Sequence, residues 1–280
     1  MNTKSSAKQT IDIIEKGYYE VNGLKIDISS LVKDSVDNSV IYTEDFFERE
    51  EKALKKMVEN KNNQTIITVR NCTTMQAAEG EINEGGHIAC LNFASAKNPG
   101  GGFLNGAKAQ EESLSRGSAL YPTQTKFFKE MYEHNRSRDT YLYSDRMIYS
   151  PQVVFFKDDN EELLEKPYLM DVLTSPAVNI GAIEQNNRPH ELAKAEQVTL
   201  ERINRMLSVF ALHEVDTLIL GAWGCGVFRN KPIAMANYFG GFLAKGGIYS
   251  KCFKKVIFAV YDRSKDQRII NAFDYLGHLE

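Results

Sequence analysis

From Gln64 onwards, short β-branched or apolar runs alternate with segments of helical pattern, and this alternation constrains the fold more than any other feature. Runs of this kind, separated by amphipathic segments, predict a mainly parallel sheet with helices on both faces. We therefore predict an α/β fold, a three-layer α/β/α sandwich around a mixed, mainly parallel sheet. We expect the first run to be a strand buried on both faces. The strand-like runs are 65–69, 88–93, 170–174, 217–220 and 256–260.

Helix signals lie between these runs. Thr73 followed by Gln76 forms a capping box, in which each side chain satisfies an unpaired backbone N–H of the first turn. Ser264 and Gln267 have the same spacing and predict the start of a last helix. Ser150-Pro151 interrupts an apolar segment and predicts two strands within 146–157. The other predicted helices are 110–134 with a break near Tyr121-Pro122, 191–211 and 231–245.

The first 60 residues follow a different pattern. They contain a short helical segment at 6–16, a hairpin signal at Asn22-Gly23 and a charged helical segment at 44–59. A segment of this size buries little apolar surface on its own. We therefore predict one domain of residues 1–280, in which residues 1–60 are an N-terminal helical and hairpin extension packed on a core formed by 61–280.

Composition and charge exclude several classes of function. The chain is 42% hydrophobic and 25% charged, as in ordinary globular proteins. Its net charge of −3 gives no basic excess, so we expect no specific DNA binding. The sequence contains neither a signal-peptide pattern nor a membrane-spanning run, so we expect a cytoplasmic protein with no membrane partner.

The cysteines and histidines indicate no metal site. The four cysteines form no C-x-x-C and have no histidine cluster beside them, which favours reduced thiols over disulfides or zinc. No two of the five histidines have metal-ligand spacing. We therefore expect neither a metal nor a cofactor.

Two glycine-rich stretches each follow a predicted strand. Gly100-Gly101-Gly102 comes after the 88–93 run, and Gly224-Cys225-Gly226 comes after the 217–220 run and opens a helix. Glycine takes positive φ and lets the backbone approach a ligand closely, with N–H groups directed at anionic or sugar oxygens. Ligands of such sheets bind at the carboxyl ends of the strands, so we predict that the two stretches share one rim. A glycine triplet alone is equally consistent with a flexible loop.

Glu111 and Glu112 open the helix behind the triplet. The helix macrodipole favours carboxylates at such a position without any catalytic role. The functional alternative is that one of them serves as general acid and base at a glycosidic centre. Adjacent helical residues point about 100° apart. We therefore expect one carboxyl to face the pocket and the other to orient substrate or structure.

Four further features allow competing interpretations. The loop around Cys225 is neither a P-loop nor a G-x-G-x-x-G motif, which argues against nucleoside triphosphate hydrolysis. With no histidine nearby in sequence, we interpret Cys225 as a close-packed loop residue and not as a nucleophile. Phe228 either stacks on a ligand ring or fills the core. Asp171 lies inside a strand and is interpreted as paired or structural, and the acidic turn 158–162 as a solvated loop.

The run from Leu91 to Gly102, followed by Gln110-Glu111-Glu112, resembles the signature of bacterial-type poly(ADP-ribose) glycohydrolases, members of the macrodomain fold. Gly221 to Asn230 resembles the diphosphate-binding loop of that family, and Leu173 to Asn179 resembles its central strand end. The resemblance covers residues 60–280 and extends more weakly into the N-terminal extension. It implies a macrodomain-like fold and a glycoside hydrolase that cleaves the ribose–ribose O-glycosidic bonds of poly(ADP-ribose), acting from chain ends to release ADP-ribose.

The resemblance also implies roles for individual residues. Protonated Glu112 would donate to the leaving ribose hydroxyl, and its carboxylate would then activate water, which requires Glu112 to be buried. Glu111 and Asn98 would contact the riboses next to the scissile bond. The two glycine loops would hold the diphosphate, and Phe228 would pack against the distal ribose. The implied binding residues are Asn98, Gly100, Gly101, Gly102, Gln110, Gly224, Cys225, Gly226, Val227 and Phe228.

Two other functions stay open. The glycine loops are equally consistent with a module that binds ADP-ribose without hydrolysing it, and only the glutamate pair argues against this. A hydrolase of mono-ADP-ribosylated proteins is the second alternative. We expect ADP-ribose or poly(ADP-ribose) as the ligand, ADP-ribosylated proteins as further partners, and a monomer.

Overall fold

The structure, a computed structural model, describes residues 2–278. The strands are β1 (Tyr18–Val21), β2 (Leu24–Asp27), β3 (Val40–Tyr42), β4 (Ile66–Arg70), β5 (Ile88–Phe93), β6 (Met147–Lys157), β7 (Leu163–Ser175), β8 (Thr217–Leu220) and β9 (Lys255–Ala259). The α-helices are α1 (Thr3–Lys16), α2 (Ser29–Asn38), α3 (Glu44–Glu59), α4 (Thr74–Ile82), α5 (Gln110–Gly117), α6 (Leu120–Thr125), α7 (His134–Ser137), α8 (Ile180–Gln185), α9 (Pro189–Leu212), α10 (Pro232–Leu243) and α11 (Arg268–Phe273). Two 3₁₀ segments, Phe103–Asn105 and Asp274–His278, and a π-helix, Phe128–Glu133, complete the helical elements.

Seven of the strands form one sheet in the order β3-β6-β7-β5-β8-β9-β4, and β1 with β2 forms a separate hairpin. The pairs β3–β6 and β6–β7 are antiparallel, whereas β5–β8, β8–β9 and β9–β4 are parallel. The predicted α/β fold with a mixed sheet is therefore confirmed. The expectation that residues 65–69 are buried on both faces is wrong. β4 is an edge strand with one neighbour, and Ile66 is 57% exposed.

The described residues divide into two compact units, called unit 1 and unit 2, which are described separately. The single domain predicted from the sequence, with its packed extension, stays a prediction. Unit 1 contains the residues up to Tyr42, Asn92–Ser137 and Met147–Ser175, and unit 2 contains Thr43–Leu91, Arg138–Arg146 and Pro176 onwards.

In unit 1 the β1–β2 hairpin confirms its sequence signal. Asn22 and Gly23 have φ of 50° and 78°, as a type I′ turn requires. The apolar side of α1 packs with the hairpin and with β6 in one core cluster, which includes Ile13, Tyr19 and Phe156. The short helix predicted at 6–16 is thus confirmed as the longer α1.

The segment 147–157 forms one strand and not two. Pro151 lies at a bulge between Ser150 and Val153, with Gln152 at φ 48°, and the ladder to β7 resumes after it. A bulge leaves one residue out of the ladder, so a proline without an N–H is tolerated there. Asp171 on β7 accepts hydrogen bonds from the Tyr149 hydroxyl and, at 2.8 Å, from the backbone N–H of Gln152. Its interpretation as a paired residue is confirmed.

The helical region after the glycine triplet breaks earlier than predicted. The break lies at Ser118, whose backbone is extended, with φ −147° and ψ 176°. Pro122 instead lies in the first turn of α6, where its missing N–H leaves no hydrogen bond unmade. The short α5 that results carries both glutamates of the predicted site in its first turn.

In unit 2 the capping box of α4 is confirmed. The Thr73 hydroxyl accepts from the backbone N–H of Gln76, and the backbone N–H of Thr73 donates to the Gln76 side chain. The predicted cap of the last helix is wrong. Gln267 precedes α11 without a side-chain capping bond, and Asp262 accepts from Ile269 N at 2.8 Å. Hydrogen bonds, the Ser264 hydroxyl first among them, lower the pKa of Asp262 to about 2.

The core of unit 2 contains a buried charged side chain. The guanidinium of Arg202 on α9 pairs with Asp145 at 2.6 Å and donates to the carbonyl oxygens of Pro176 and Leu142 at 2.9 Å each. Burying a guanidinium is costly unless its donors are used, so this network fixes the 138–146 segment against α9. Within residues 2–278, no helix combines the length and the apolar character that crossing a bilayer requires.

Candidate functional site

In unit 1, the chain leaves β5 through a tight turn into the glycine triplet. The hydroxyl oxygen of Ser95 accepts from the backbone N–H of Lys97 at 3.3 Å and of Asn98 at 3.1 Å. Gly100 and Gly101 then take φ of 66° and 60°, a left-handed pair that glycine adopts without strain. The turn explains why two glycines must follow Pro99 at this point.

Two N–H groups of the triplet are used inside unit 1. Gly101 donates to the carbonyl of Asn98 at 3.0 Å, and Gly102 donates to Oε1 of Glu112 at 2.9 Å. These two groups therefore do not point at a ligand, contrary to the expectation for the triplet as a whole. The triplet instead holds a carboxyl of the following helix.

Glu112 is buried, with 9% of its surface exposed, as the predicted role requires. Oε1 is held by Gly102, whereas Oε2 has no hydrogen-bond partner among the described residues. A buried polar atom without a partner costs free energy, so it usually has a functional explanation. One oxygen of this carboxyl is thus fixed, and the other is available for proton transfer.

Glu111 occupies a different environment and is 3% exposed. Its Oε1 accepts from the amides of Asn92 at 3.1 Å and Gln124 at 3.0 Å, and its Oε2 accepts from the N–H of Ser95 at 2.7 Å. Burial raises the pKa of Glu111 to about 8, although these three donors act in the opposite direction. The two carboxyls therefore point into different surroundings, in agreement with the expected angular separation.

Asn92 and Gln124 were not identified from the sequence. The available signal was a polar Asn92 inside the apolar run of β5, because a buried polar side chain needs a partner. Gln110, predicted to bind substrate, accepts from the N–H of Phe93 at 2.9 Å and ties the end of β5 to the start of α5.

Asn98 is exposed and is oriented by Arg136, which no sequence motif indicated. Arg136 donates through Nη2 to Oδ1 of Asn98 at 3.0 Å and through Nε to the carbonyl of Lys97 at 2.8 Å. With its amide oxygen engaged, Asn98 presents its Nδ2 hydrogens as donors. Arg136 follows the π-helix, an irregular element with no clear local sequence signal.

The acidic turn 158–162, interpreted from the sequence as a solvated loop, contains a glutamate that pairs with a second buried arginine. Arg116, with 4% of its side chain exposed, donates through Nε to Glu161 at 2.8 Å. Glu161 is therefore not part of a purely solvated loop. The two residues are 45 positions apart, so no local pattern indicates the pair.

In unit 2, the loop after β8 is closed by its own last residue. Gly224 has φ of 70°, and its carbonyl accepts from the backbone and the side chain of Asn230 at 3.0 and 3.1 Å. The Asn230 amide also donates to the carbonyl of Val178 at 2.8 Å, which anchors the loop to the segment before α8. The loop is therefore a fixed turn.

The tip of this loop presents unused backbone donors. The N–H groups of Gly226, Val227 and Phe228 have no acceptor in the part of the chain that the structure describes. Val227 at the tip is 83% exposed. Successive backbone N–H groups without an internal acceptor are available to an anion such as a phosphate.

The side chains of Phe228 and Cys225 lie in different surroundings within unit 2. The Phe228 ring lies 6.0 Å from that of Tyr143, and its carbonyl accepts from the N–H of Gly181. The Tyr143 hydroxyl in turn accepts from the side chain of Asn179 at 3.2 Å. Cys225 is half-buried, and burial raises the pKa of its thiol to about 12. Tyr143 and Asn179 were not identified from the sequence.

The structure places each half of the predicted site within one unit: Asn98, the triplet, Gln110 and the glutamates in unit 1, and Gly224 to Phe228 in unit 2. That the two halves share one rim stays a prediction. Among residues 2–278, no three histidine, cysteine, aspartate or glutamate residues are grouped so as to hold a metal ion.

The chain matches one protein family in comparisons with known proteins. Residues 7–158 match the family model described as microbial-type PARG, catalytic domain, where PARG denotes poly(ADP-ribose) glycohydrolase. A search of curated proteins gave no match.

Solved structures are similar over nearly the whole chain. The PARG of Thermomonospora curvata is 37% identical, with a TM-score of 0.88 and coverage of 98% of each chain. The same protein bound to the inhibitor ADP-HPD is 39% identical, with a TM-score of 0.85 and coverage of 97% of each chain. The PARG of Deinococcus radiodurans in complex with ADP-ribose is 36% identical, with a TM-score of 0.80, and the match covers 91% of this chain and 96% of that one.

Proposed function

The chain belongs to the family of microbial-type PARG catalytic domains, and from this membership we infer that it is a poly(ADP-ribose) glycohydrolase. It is a hydrolase of poly(ADP-ribose), and ADP-ribose or its polymer is the ligand. The observation that supports a catalytic role for Glu112 is its asymmetric environment. One carboxyl oxygen is fixed by Gly102, and the other is buried without a partner.

We propose that Glu112 acts first as acid and then as base. Its proton, carried on Oε2, passes to the oxygen of the leaving ribose as the glycosidic C–O bond breaks through an oxocarbenium-like state. The resulting carboxylate then takes a proton from water, and the hydroxide part of that water bonds to the anomeric carbon. Acid–base assistance of this kind contributes ~10²–10⁴-fold, so positioning of the substrate supplies the remaining acceleration.

We propose that Asn98 and Glu111 position the ribose beside the scissile bond, in different ways. Asn98 offers Nδ2 donors to a ribose hydroxyl, since Arg136 occupies its amide oxygen. The resemblance implies a direct ribose contact for Glu111, but its internal contacts favour a supporting role. Glu111 accepts from the N–H of Ser95, and the Ser95 hydroxyl oxygen accepts from the N–H of Asn98, so Glu111 acts on Asn98 through Ser95.

We propose that the loop from Gly224 to Phe228 binds the diphosphate. The unused N–H groups at its tip support this proposal, because they match phosphate oxygens without needing a cationic side chain. The ring of Tyr143 contacts the ring of Phe228 on one side. In this proposal the ring of Phe228 packs against the distal ribose. Cleavage from chain ends, action on ADP-ribosylated proteins, a monomeric state and a cytoplasmic location are proposed from the sequence alone.

The deciding experiment replaces Glu112 with Gln, which keeps the shape of the side chain but carries no transferable carboxyl proton. Release of ADP-ribose from polymer should be lost, while calorimetric affinity for ADP-ribose should change little. Glu162→Gln, at an exposed glutamate of the 158–162 turn, is the matched control and should retain full activity. Near-full turnover by Glu112→Gln would falsify the role of Glu112.

Three further assays address the alternatives and the position of cleavage. If the wild-type protein binds ADP-ribose but releases no product from polymer over long incubation, it is a reader and not a hydrolase. Parallel assays on polymer and on single-unit conjugates separate polymer hydrolysis from removal of mono-ADP-ribose. Chain-length analysis of the products distinguishes cleavage at ends from cleavage in the interior.

A further inference from the structure

Arg116 is a buried arginine on α5, one helical turn after Glu112. Besides its ion pair with Glu161, its Nη1 donates to the carbonyl of Ala107, and its Nη2 lies 3.5 Å from the Ser113 hydroxyl. A buried guanidinium is tolerated only where its donors are satisfied, so this geometry holds the side chain in one orientation. These contacts satisfy the guanidinium, but they do not by themselves account for a buried charge on the helix that carries Glu112.

The contacts of Arg116 close a ring that includes Glu112. Arg116 donates to the carbonyl of Ala107, and the N–H of Ala107 donates to the carbonyl of Gly102 at 3.2 Å. The N–H of Gly102 donates to Oε1 of Glu112 at 2.9 Å. Glu112 and Arg116 are four residues apart on α5, so the helix itself closes the ring. The ring lies wholly within unit 1.

We propose that Arg116 is a positioning residue, which fixes the carboxyl of Glu112 against the glycine triplet through this ring. The proposal rests on the proposed function, because it concerns the residue that transfers the proton. Without Arg116, the segment between Gly102 and Ala107 loses its hydrogen bond from the guanidinium on α5, and the Gly102 N–H that donates to Oε1 is held less firmly. A displacement of about 1 Å at a reacting group can cost roughly 10²-fold in rate.

The N-terminal helix α1 donates hydrogen bonds to Arg116 and to the loop before α5. Thr10 on α1 donates through its hydroxyl to the carbonyl of Arg116, and Lys157 donates to the Thr10 hydroxyl at 2.9 Å. Near the start of α1, Thr3 donates to the carbonyl of Gly106 at 3.2 Å. α1 thus contacts both the end of α5 and the loop before it. The contacts of α1 therefore support the same segment that the ring holds.

The test compares Arg116→Met, which removes the donors at similar volume, with Arg116→Lys, which keeps the charge but cannot serve Glu161 and Ala107 together. We expect kcat on polymer to fall by about tenfold or more in Arg116→Met and by less in Arg116→Lys. The Kd for ADP-ribose should change little in either. Arg70→Met, the control, removes an ion pair to the buried Glu81 in unit 2, and should lower Tm while leaving kcat unchanged.

A second measurement needs no substrate. Hydrogen exchange at the Gly102 amide should accelerate in Arg116→Met relative to wild type, whereas Arg70→Met should leave it unchanged. If Arg116→Met does not fold, Arg116→Lys decides by the same two measurements. Wild-type kcat with unaltered Gly102 exchange in the folded Arg116 variant would overturn the proposal. A wild-type protein without activity on polymer would instead overturn the proposed function, and the exchange experiment would still test the ring.

Discussion

Gly101 packs so closely against the carboxyl of Glu112 that no side chain fits between them. A Cβ atom on Gly101 would collide with Oε1 of Glu112 and lie 3.0 Å from its Cδ. It would also lie 3.1 Å from Oε2 of Glu111. The glycine is therefore required by the two glutamates themselves, and not only by the approach of a ligand.

Gly101→Ala should reduce activity by moving the carboxyl of Glu112. The left-handed φ of 60° costs an alanine about 1–2 kcal/mol, and the collision adds to this strain. We expect kcat on polymer to fall by about tenfold or more, with a lower Tm. Gly23→Ala is the control, since Gly23 has φ of 78° and open space around it. Wild-type kcat in Gly101→Ala would show that the close packing is not needed for catalysis.

Features set by a few neighbouring residues could be predicted from the sequence. The Asn22-Gly23 turn, the capping box at Thr73 and the helix Glu44–Glu59 depend on contacts within one or two turns, and all are present. The alternation of strands and helices likewise predicted the α/β fold. The position of β4 at the sheet edge could not be predicted, because strand order depends on pairing between distant segments.

In the candidate site, too, local features could be predicted from the sequence and long-range contacts could not. The glycines and both glutamates were identified from local motifs, but the partners that set their chemistry were not. Arg116 and Glu161 are 45 residues apart, and the guanidinium that donates to Asn98 belongs to Arg136, 38 residues away. Likewise, Asp262 caps α11 from seven residues before Ile269, outside any capping-box spacing. Such contacts are created by the fold and leave no periodic signal.

Glu111 should make stability depend on pH. Burial raises its pKa to about 8 in the folded protein, from an ordinary value of 4.5. Between these two values the folded state binds more protons than the unfolded state, so the free energy of unfolding falls as pH rises. The slope approaches about 1.4 kcal/mol per pH unit for one group and disappears above the folded pKa.

Urea unfolding across this pH window tests the assignment. Glu111→Gln cannot ionise, so the stability of wild type relative to this variant should decline steadily as pH rises. Glu162→Gln, at an exposed position, should stay parallel to wild type throughout. A constant difference between wild type and Glu111→Gln would mean that the carboxyl titrates alike in the folded and unfolded states.

Gly224→Ala should weaken ligand binding through the loop of unit 2. A Cβ at Gly224 would lie 2.5 Å from the Cβ of Ala177 and 2.5 Å from Nδ2 of Asn230, the residue that closes the loop. We expect the Kd for ADP-ribose, measured by calorimetry, to rise by about tenfold, equivalent to about 1.4 kcal/mol. Gly85→Ala has a comparable φ of 74° but open space, and should bind normally. Unchanged affinity in Gly224→Ala would argue against a binding role for this loop.

Cys225 should behave as an unreactive thiol despite its position in the binding loop. Burial raises its pKa to about 12, so near neutral pH almost none of it is the nucleophilic thiolate. Iodoacetamide should therefore label Cys225 much more slowly in the folded protein than in urea, as followed by peptide mass spectrometry. Cys225→Ala should keep its activity on polymer, because the thiol takes no part in the proposed proton transfer. Fast labelling that is blocked by ADP-ribose, together with loss of activity in Cys225→Ala, would instead place a reactive thiol in the site.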